Sequence, residues 1–75
     1  MYREDIVVVK VVEQKSDFLD KPAYTTLAEH SMPPQFVPQV GDFLMHNGDM
    51  YCAIQRVWYE MYPASRLKIY VRKTS

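Results

Sequence analysis

The dipeptide Asn47-Gly48, which stands between two apolar runs, constrains the fold of this 75-residue chain more than any other feature. Both residue types tolerate the positive φ angles of a type I′ turn, and such a turn joins two antiparallel strands. The pattern predicts strands over residues 43–46 and 50–61, with the turn between them. A β-hairpin is therefore the first element that the sequence indicates.

Two further strands follow from composition and alternation. Residues 6–12 are mostly β-branched, and both faces of such a strand are apolar, so we expect it to be central in a sheet or covered by another chain. Residues 67–71 alternate, and the apolar residues of this segment are predicted to face the core. Together with the hairpin, this last strand predicts an antiparallel meander from residue 38 to residue 71.

The segment between residues 18 and 34 is ambiguous. Tyr24-Thr25-Thr26-Leu27 has strand composition, whereas Asp20-Lys21-Pro22 resembles a helix start. A strand near residues 23–29 is the favoured interpretation, and a short helical turn within residues 18–30 stays open. The three prolines of residues 31–39 predict a crossover loop, because proline donates no ladder hydrogen bond.

These elements predict one all-β domain spanning residues 1–75, either a five-stranded, strongly bent antiparallel sheet or a small barrel. The two-residue turn also predicts which hairpin residues lie opposite each other: His46 and Asp49, Met45 and Met50, Leu44 and Tyr51, Phe43 and Cys52. Alternation then separates a mostly apolar face, which we expect to be the core side, from a face that mixes polar and apolar residues. The residues predicted for the core side are Phe43, Met45, Met50, Cys52 and Ile54, and the mixed face carries an apolar strip of Leu44, Tyr51 and Ala53. The pattern breaks after Ile54, which predicts a bulge near Gln55-Arg56 or a strand that leaves the core there.

The chain has few means of holding a small core together. Its one cysteine excludes an intramolecular disulfide, and no cluster of Cys and His has structural-zinc spacing. A core of this size supplies only about 3–5 kcal/mol. Because 48% of the residues are apolar nonetheless, the surplus predicts association, most simply a homodimer.

Nine basic and nine acidic residues give a net charge of zero, which argues against a dedicated nucleic-acid binder. The charges are uneven along the chain. Residues 1–49 carry four basic and eight acidic side chains, and residues 50–75 carry five basic and one acidic side chain. Because strands of both halves interleave in the predicted sheet, we expect internal charge pairing, and a local basic face stays open as the alternative.

No arrangement of residues in the sequence supports catalysis or a cofactor. Cys52 with His46 or His30 would make a thiolate–imidazole pair, but the predicted register places Cys52 and His46 on opposite faces. A metal site built from the two histidines with Asp42 and Asp49 is outweighed by turn and surface roles for the same residues. Asp42 is expected to accept backbone N–H groups at the strand entrance. The expectation is a non-enzymatic protein that uses no metal and no cofactor.

Aromatic and basic residues interleave in the last third of the chain and form the candidate binding surface. They are Arg56, Trp58, Tyr59, Tyr62, Lys68, Tyr70 and Arg72, with Leu44 and Tyr51 as a second patch. Aromatic and arginine side chains are enriched at protein interfaces, so a protein partner is the first expectation. The same residue types hold single-stranded nucleic acid by stacking and charge, which is one alternative. The other alternative is a small molecule or nucleotide bound at a dimer seam.

The order Pro38-x-x-Gly41-Asp42-x-Leu44, followed by the tight turn and by Tyr51 on a long strand, resembles the opening of SH3-like small β-barrels. It is also similar to short uncharacterised proteins of bacteria and their phages that share the P-x-x-G-D pattern. The resemblance covers roughly residues 34–71 and implies a barrel fold and a phage or mobile-element accessory or inhibitor role. It carries no catalytic residue, and residues 1–33 resemble no family.

Two observations bear on the compartment. The apolar run at residues 6–12 is too short and too mixed for a signal-peptide core, and no stretch approaches the roughly 18 apolar residues of a membrane helix. With a lone cysteine that is expected to stay reduced, the prediction is a cytoplasmic protein without membrane association.

Overall fold

A computed structural model describes residues 6–15, 23–61 and 65–74, and this part of the chain is all-β. Its strands are β1 (Val7–Lys15), β2 (Ala23–Met32), β3 (Phe43–His46), β4 (Asp49–Glu60) and β5 (Ser65–Lys73), with a 3₁₀ turn at Pro34–Phe36. They form one five-stranded sheet in the order β2-β1-β5-β4-β3, strongly curled into a half-barrel. The predicted fold class is confirmed. The described residues include no helix that is long and apolar enough to span a bilayer.

The sheet is mixed in direction. Strand β1 pairs antiparallel with β2, and β5-β4-β3 form the predicted antiparallel meander, but β1 and β5 run parallel. Sequence reasoning expected antiparallel pairing throughout and did not anticipate this pair. Parallel neighbours require a long crossover connection, and here the chain between β1 and β5 supplies it through three other strands. The central position predicted for β1 is confirmed, because it lies between β2 and β5.

The ambiguous middle segment is a strand where the structure describes it. Strand β2 pairs with β1 from Ala23 opposite Lys15 to Met32 opposite Val7, so the favoured interpretation is confirmed. The helical alternative is wrong for residues 23–30, and its residues 18–22 lie outside the described part of the chain. Cross-strand pairing along the whole of β1 outweighs the weak helical spacing of this segment.

The proline-rich segment carries the chain to the entrance of β3, as predicted. Its backbone turns are held by local hydrogen bonds, and Asp42 completes them by accepting the Gln39 backbone N–H at 2.8 Å. The Gly41 N–H donates to the carbonyl of Ala53 at 2.9 Å, with Gly41 at a φ of 99°. The predicted role of Asp42 as a backbone acceptor is therefore confirmed.

The hairpin has the predicted turn and register but the opposite orientation. Asn47 and Gly48 have φ angles of 51° and 86°, and all four predicted cross-strand pairs are present. The assignment of its faces is wrong. Phe43, Met45 and Met50, predicted for the core side, are 64%, 64% and 45% exposed, and the other two members of that set, Cys52 and Ile54, are half-buried. The buried side is the strip of Leu44, Tyr51 and Ala53.

The reason for the reversal lies in the next strand. Ala53 stands opposite Val71 across β4 and β5, and directly opposed residues share a face of the sheet. Val71 is fully buried, as are Leu67 and Ile69. The core side predicted from the alternation of β5 is therefore confirmed. Pairing with β5 therefore turns the Ala53 side of the hairpin inward.

A bulge reverses the phase of β4, close to the predicted place. The register shifts between Ala53 and Gln55, so Ile54 is the extra residue, and a second shift between Trp58 and Glu60 leaves Tyr59 unpaired. Bulges of this kind increase the local twist and bend the strand. They fit a sheet that curls within a short length.

The core lies in the concave side of the curled sheet. Val9, Leu67, Ile69 and Val71 have no measurable exposure, and Val7, Val37, Tyr51 and Ala53 complete the buried cluster. Leu27 and Met32 of one edge strand and Leu44 of the other pack against the same cluster. Contact of both edges with one core is what makes the sheet a half-barrel.

Candidate functional site

The structure separates the predicted binding residues onto two faces of the sheet. Lys68 alternates with buried Leu67 and Ile69 along β5, so it lies on the outer, convex face, and Tyr70 and Arg72 follow it there. Arg56 and Trp58 stand opposite Ile69 and Leu67 and therefore share the concave side. The predicted set is thus not one surface. Tyr62, another member of the predicted set, lies outside the described residues.

The outer-face members join residues that sequence reasoning missed. A groove of about 200 Å³ opens on the convex face and is lined by Lys10, Val12, Tyr24, Thr26, Lys68 and Tyr70. We call it the lysine–tyrosine groove. The rings of Tyr24 and Tyr70 meet edge to face with their centroids 5.5 Å apart. The groove therefore combines two tyrosines, from β2 and β5, with two lysines, from β1 and β5.

Tyr59 completes this cluster from β4. The Lys10 Nζ lies 5.9 Å and the Lys68 Nζ 5.3 Å from the centroid of its ring. Tyr59 reaches them because it is the extra residue of the second bulge in β4. The Tyr59 ring thus attracts two ammonium groups, a cation–π arrangement that partly offsets their mutual repulsion.

Sequence reasoning did not predict Lys10 and Tyr24 as site residues, because it did not predict that β1 and β5 pair in parallel. Lys10 stands directly opposite Lys68 across β1 and β5, which only the observed strand order brings together. One signal in the sequence pointed to Lys10, since it is the single charged residue of the otherwise apolar run at residues 6–12.

Arg56 and Trp58 form a separate contact on the concave side. The Arg56 Cζ lies 5.8 Å from the centroid of the indole ring. Its Nε atom is buried and has no hydrogen-bond partner in the part of the chain that the structure describes. Arg56 therefore does not extend the outer basic surface.

The predicted second patch of Leu44 and Tyr51 belongs to the core. Tyr51 is only 6% exposed, and Leu44 packs against the same buried cluster. The exposed apolar side of the hairpin is the opposite one, which consists of Phe43, Met45 and Met50, and we call it the hairpin patch. It was invisible to sequence reasoning because these three residues were assigned to the core.

A smaller pocket of about 90 Å³ lies between the two edge strands, where the half-barrel is open. His30 of β2 and His46 of β3 both line it, together with apolar neighbours such as Leu27 and Leu44. His46 contacts the Asn47 Nδ2 at 3.3 Å through its Nε2. No group of three or more His, Cys, Asp or Glu side chains within the described ranges is arranged to hold a metal.

Cys52 lies on the outer side of β4, opposite the exposed Phe43, and is half-buried. Its predicted place in the core is therefore wrong. Its Sγ–H points to the Ala53 carbonyl at 3.7 Å. The His46–Asp49 pair is three positions further along the ladder than the Phe43–Cys52 pair, so Cys52 and His46 occupy opposite faces as predicted. This separation leaves the thiol without an imidazole base from His46.

The expected internal charge pairing is present in part. The Lys73 Nζ lies 3.5 Å from the Asp49 Oδ2, which joins the two halves of the chain, whereas Arg66 Nε contacts Glu60 Oε1 at 3.0 Å within the second half. Both pairs are well exposed to solvent, so each contributes little to stability.

Comparison with protein-family models, with curated proteins and with solved structures finds no match to this chain.

Proposed function

We propose that this chain is a non-enzymatic interaction module whose partner is protein, and that its first partner is a second copy of itself held through the hairpin patch. The observation that carries the proposal is the exposure of Phe43 and Met45, each 64%, and of Met50, 45%, on two adjacent strands. Met45 and Met50 stand directly opposite each other, so the patch is continuous across the hairpin.

The chemistry of the patch suits a protein contact. Phenylalanine and methionine are enriched at protein interfaces, and contiguous apolar patches on small proteins mark interaction sites. The segment that leads into β3 exposes two more apolar side chains, Phe36 at 68% and Val40 at 59%. A dimer of ordinary size covers roughly 800 Å² per partner. That is about a seventh of the 5693 Å² accessible surface of the chain.

Charge and position support a second copy as the occupant. The net charge of zero leaves no long-range repulsion between two identical chains. The patch lies on β3 and β4, and β3 is an edge strand of the sheet. A two-fold interface needs a surface that can face itself. The single free thiol of Cys52 is typical of a reducing compartment, so we place the module in the cytoplasm. The mobile-element role and the nucleotide at a dimer seam stay predictions.

The test is the mass of the protein in solution at a series of concentrations. Sedimentation equilibrium of the intact chain is expected to show a reversible monomer–dimer transition. Met45→Lys is expected to shift the dimer dissociation constant upward at least tenfold, because it places a charge in the apolar contact. Met61→Lys is the matched control, since Met61 is 65% exposed at the end of β4 and outside the patch.

Two results would contradict the proposal. One is a monomeric mass for the unaltered chain up to about millimolar concentration, where even weak specific contacts of about −4 kcal/mol are populated. The other is an equal loss of association in both lysine variants, which would mean that any added charge acts by general solubility. Far-UV circular dichroism of each variant establishes that it is folded.

A further inference from the structure

The lysine–tyrosine groove carries an inference independent of self-association. We propose that it binds single-stranded nucleic acid, with a phosphate between the Lys10 and Lys68 ammonium groups and a base against the Tyr24–Tyr70 pair. The site is on the convex face of β2, β1 and β5, whereas the hairpin patch belongs to β3 and β4.

The first argument is the pair of like charges on the two central strands of the sheet. Lys10 and Lys68 stand directly opposite each other, and like charges in that position are destabilising. Neither lysine forms an ion pair with a carboxylate in residues 6–15, 23–61 or 65–74. The Tyr59 ring face offsets part of the repulsion, and an anion held between the two ammonium groups would remove the rest.

The second argument is the local balance of charge, which differs from the neutral total. Along β5 the outer face presents Arg66, Lys68 and Arg72, with Lys10 beside them on β1. The carboxylates on the same face of the described strands are Glu29, opposite Lys10, and Glu60, which Arg66 already engages. Successive outward residues of a strand are roughly 7 Å apart, so these cations form a row. A row of cations fits a linear polyanion better than a single phosphate.

The third argument is the aromatic content of the same groove. Tyr24 is 54% exposed, and Tyr59 is 41% exposed beside the lysines. Bases of a single strand offer their ring faces to such side chains, and each base–aromatic stack contributes enough to be seen on alanine substitution. Paired bases of a duplex do not offer their ring faces in this way, because they are already stacked on one another.

The test uses fluorescence anisotropy of labelled oligo(dT) and oligo(U), each of about 20 nucleotides, with the intact chain. If Lys10, Lys68 and Arg72, which form no ion pair within the described residues, each contact a phosphate, affinity is expected to fall about 20-fold between roughly 50 and 200 mM salt. Lys68→Gln is expected to reduce the log–log salt slope by about 0.7. Lys73→Gln, the same charge change on the same strand, is the control, because Lys73 pairs with Asp49 away from the groove.

Stacking is tested separately at Tyr24, whose exposure on an edge strand makes its replacement tolerable to the fold. Tyr24→Ala is expected to weaken binding about 5- to 100-fold, whereas Tyr24→Phe keeps the ring and is expected to retain affinity. The two oligomers distinguish DNA from RNA as the ligand.

Four results would overturn the proposal. They are no binding of either oligomer at low salt, equal loss in the Lys68 and Lys73 variants, equal affinity for a duplex, and equal affinity for inorganic polyphosphate. The last would show an anion site without base stacking. Because none of these variants alters the hairpin patch, each outcome leaves the self-association test unaffected.

Discussion

Arg56 shows how one side chain can oppose the stability of a small sheet. Its Nε atom is buried without a hydrogen-bond partner in the described part of the chain, and such a group costs about 1–3 kcal/mol. The contact of its guanidinium with Trp58, 5.8 Å from the ring centroid, returns only about 0.5–1 kcal/mol. The balance is unfavourable, so stability alone does not account for an arginine at this position.

Arg56→Met is therefore expected to raise the free energy of unfolding by roughly 1 kcal/mol, because it keeps an unbranched stem and removes the unpaired N–H. Arg56→Ala is expected to lower it, because the packing of the stem is lost as well. Urea denaturation followed by far-UV circular dichroism measures both. If the methionine variant is less stable by more than about 1 kcal/mol, the guanidinium has a stabilising partner and this account of Arg56 is wrong.

At the scale of the element, the β3–β4 hairpin has two apolar faces, and only one is used by the core. Tyr51 and Ala53 are 6% and 1% exposed, while Met50 between the turn and Tyr51 is 45% exposed. Adjacent residues of a strand point to opposite sides, so a slip of one residue would exchange the two faces. The type I′ turn at Asn47-Gly48 prevents the slip, since both residues adopt the positive φ that this turn requires.

The neighbouring residues Met50 and Tyr51 provide a direct test of the orientation. Tyr51→Ala is expected to lower the free energy of unfolding by about 3 kcal/mol, because it removes a buried ring from the core. Met50→Ala is expected to change it by no more than about 0.5 kcal/mol. Urea denaturation is measured on dilute protein, below the concentration of self-association. A larger loss for Met50 than for Tyr51 would mean that the hairpin faces the other way.

For the whole molecule, the strand order places the two ends of the described chain at the centre. Strands β1 and β5 are neighbours in the middle of the sheet, and β2 and β3 are its edges. The fully buried residues Val9, Leu67, Ile69 and Val71 all belong to this central pair. The strands that are most distant in sequence therefore contribute most of the core, which makes long-range contacts decisive for stability.

Native-state hydrogen exchange is expected to reflect that arrangement. The backbone amides of β1 and β5 should exchange slowest, at the rate set by global unfolding, and those on the open edges of β2 and β3 should exchange faster. Two-dimensional NMR after transfer to deuterated buffer measures this residue by residue. Slowest exchange in the β3–β4 hairpin, with early exchange in β1, would contradict a sheet whose stability depends on its parallel centre.

Local chemistry in the sequence determined the strands, the hairpin register and the inward side of β5. A type I′ turn needs only two residues that accept positive φ, and alternation with a period of two is a property of one strand. Asp42 could be assigned as a backbone acceptor for the same reason, since its partner lies three residues away. Such features depend on neighbours along the chain, which the sequence displays directly.

Tertiary structure alone decided which face of the hairpin is buried and which lysines meet. Both hairpin faces are apolar, so the choice between them depended on the pairing of Ala53 with Val71. Lys10 and Lys68 are 58 positions apart and became neighbours only through the parallel pairing of β1 with β5. Burial and charge clustering depend on contacts between strands that are distant in sequence. The pattern within any one strand does not reveal those contacts.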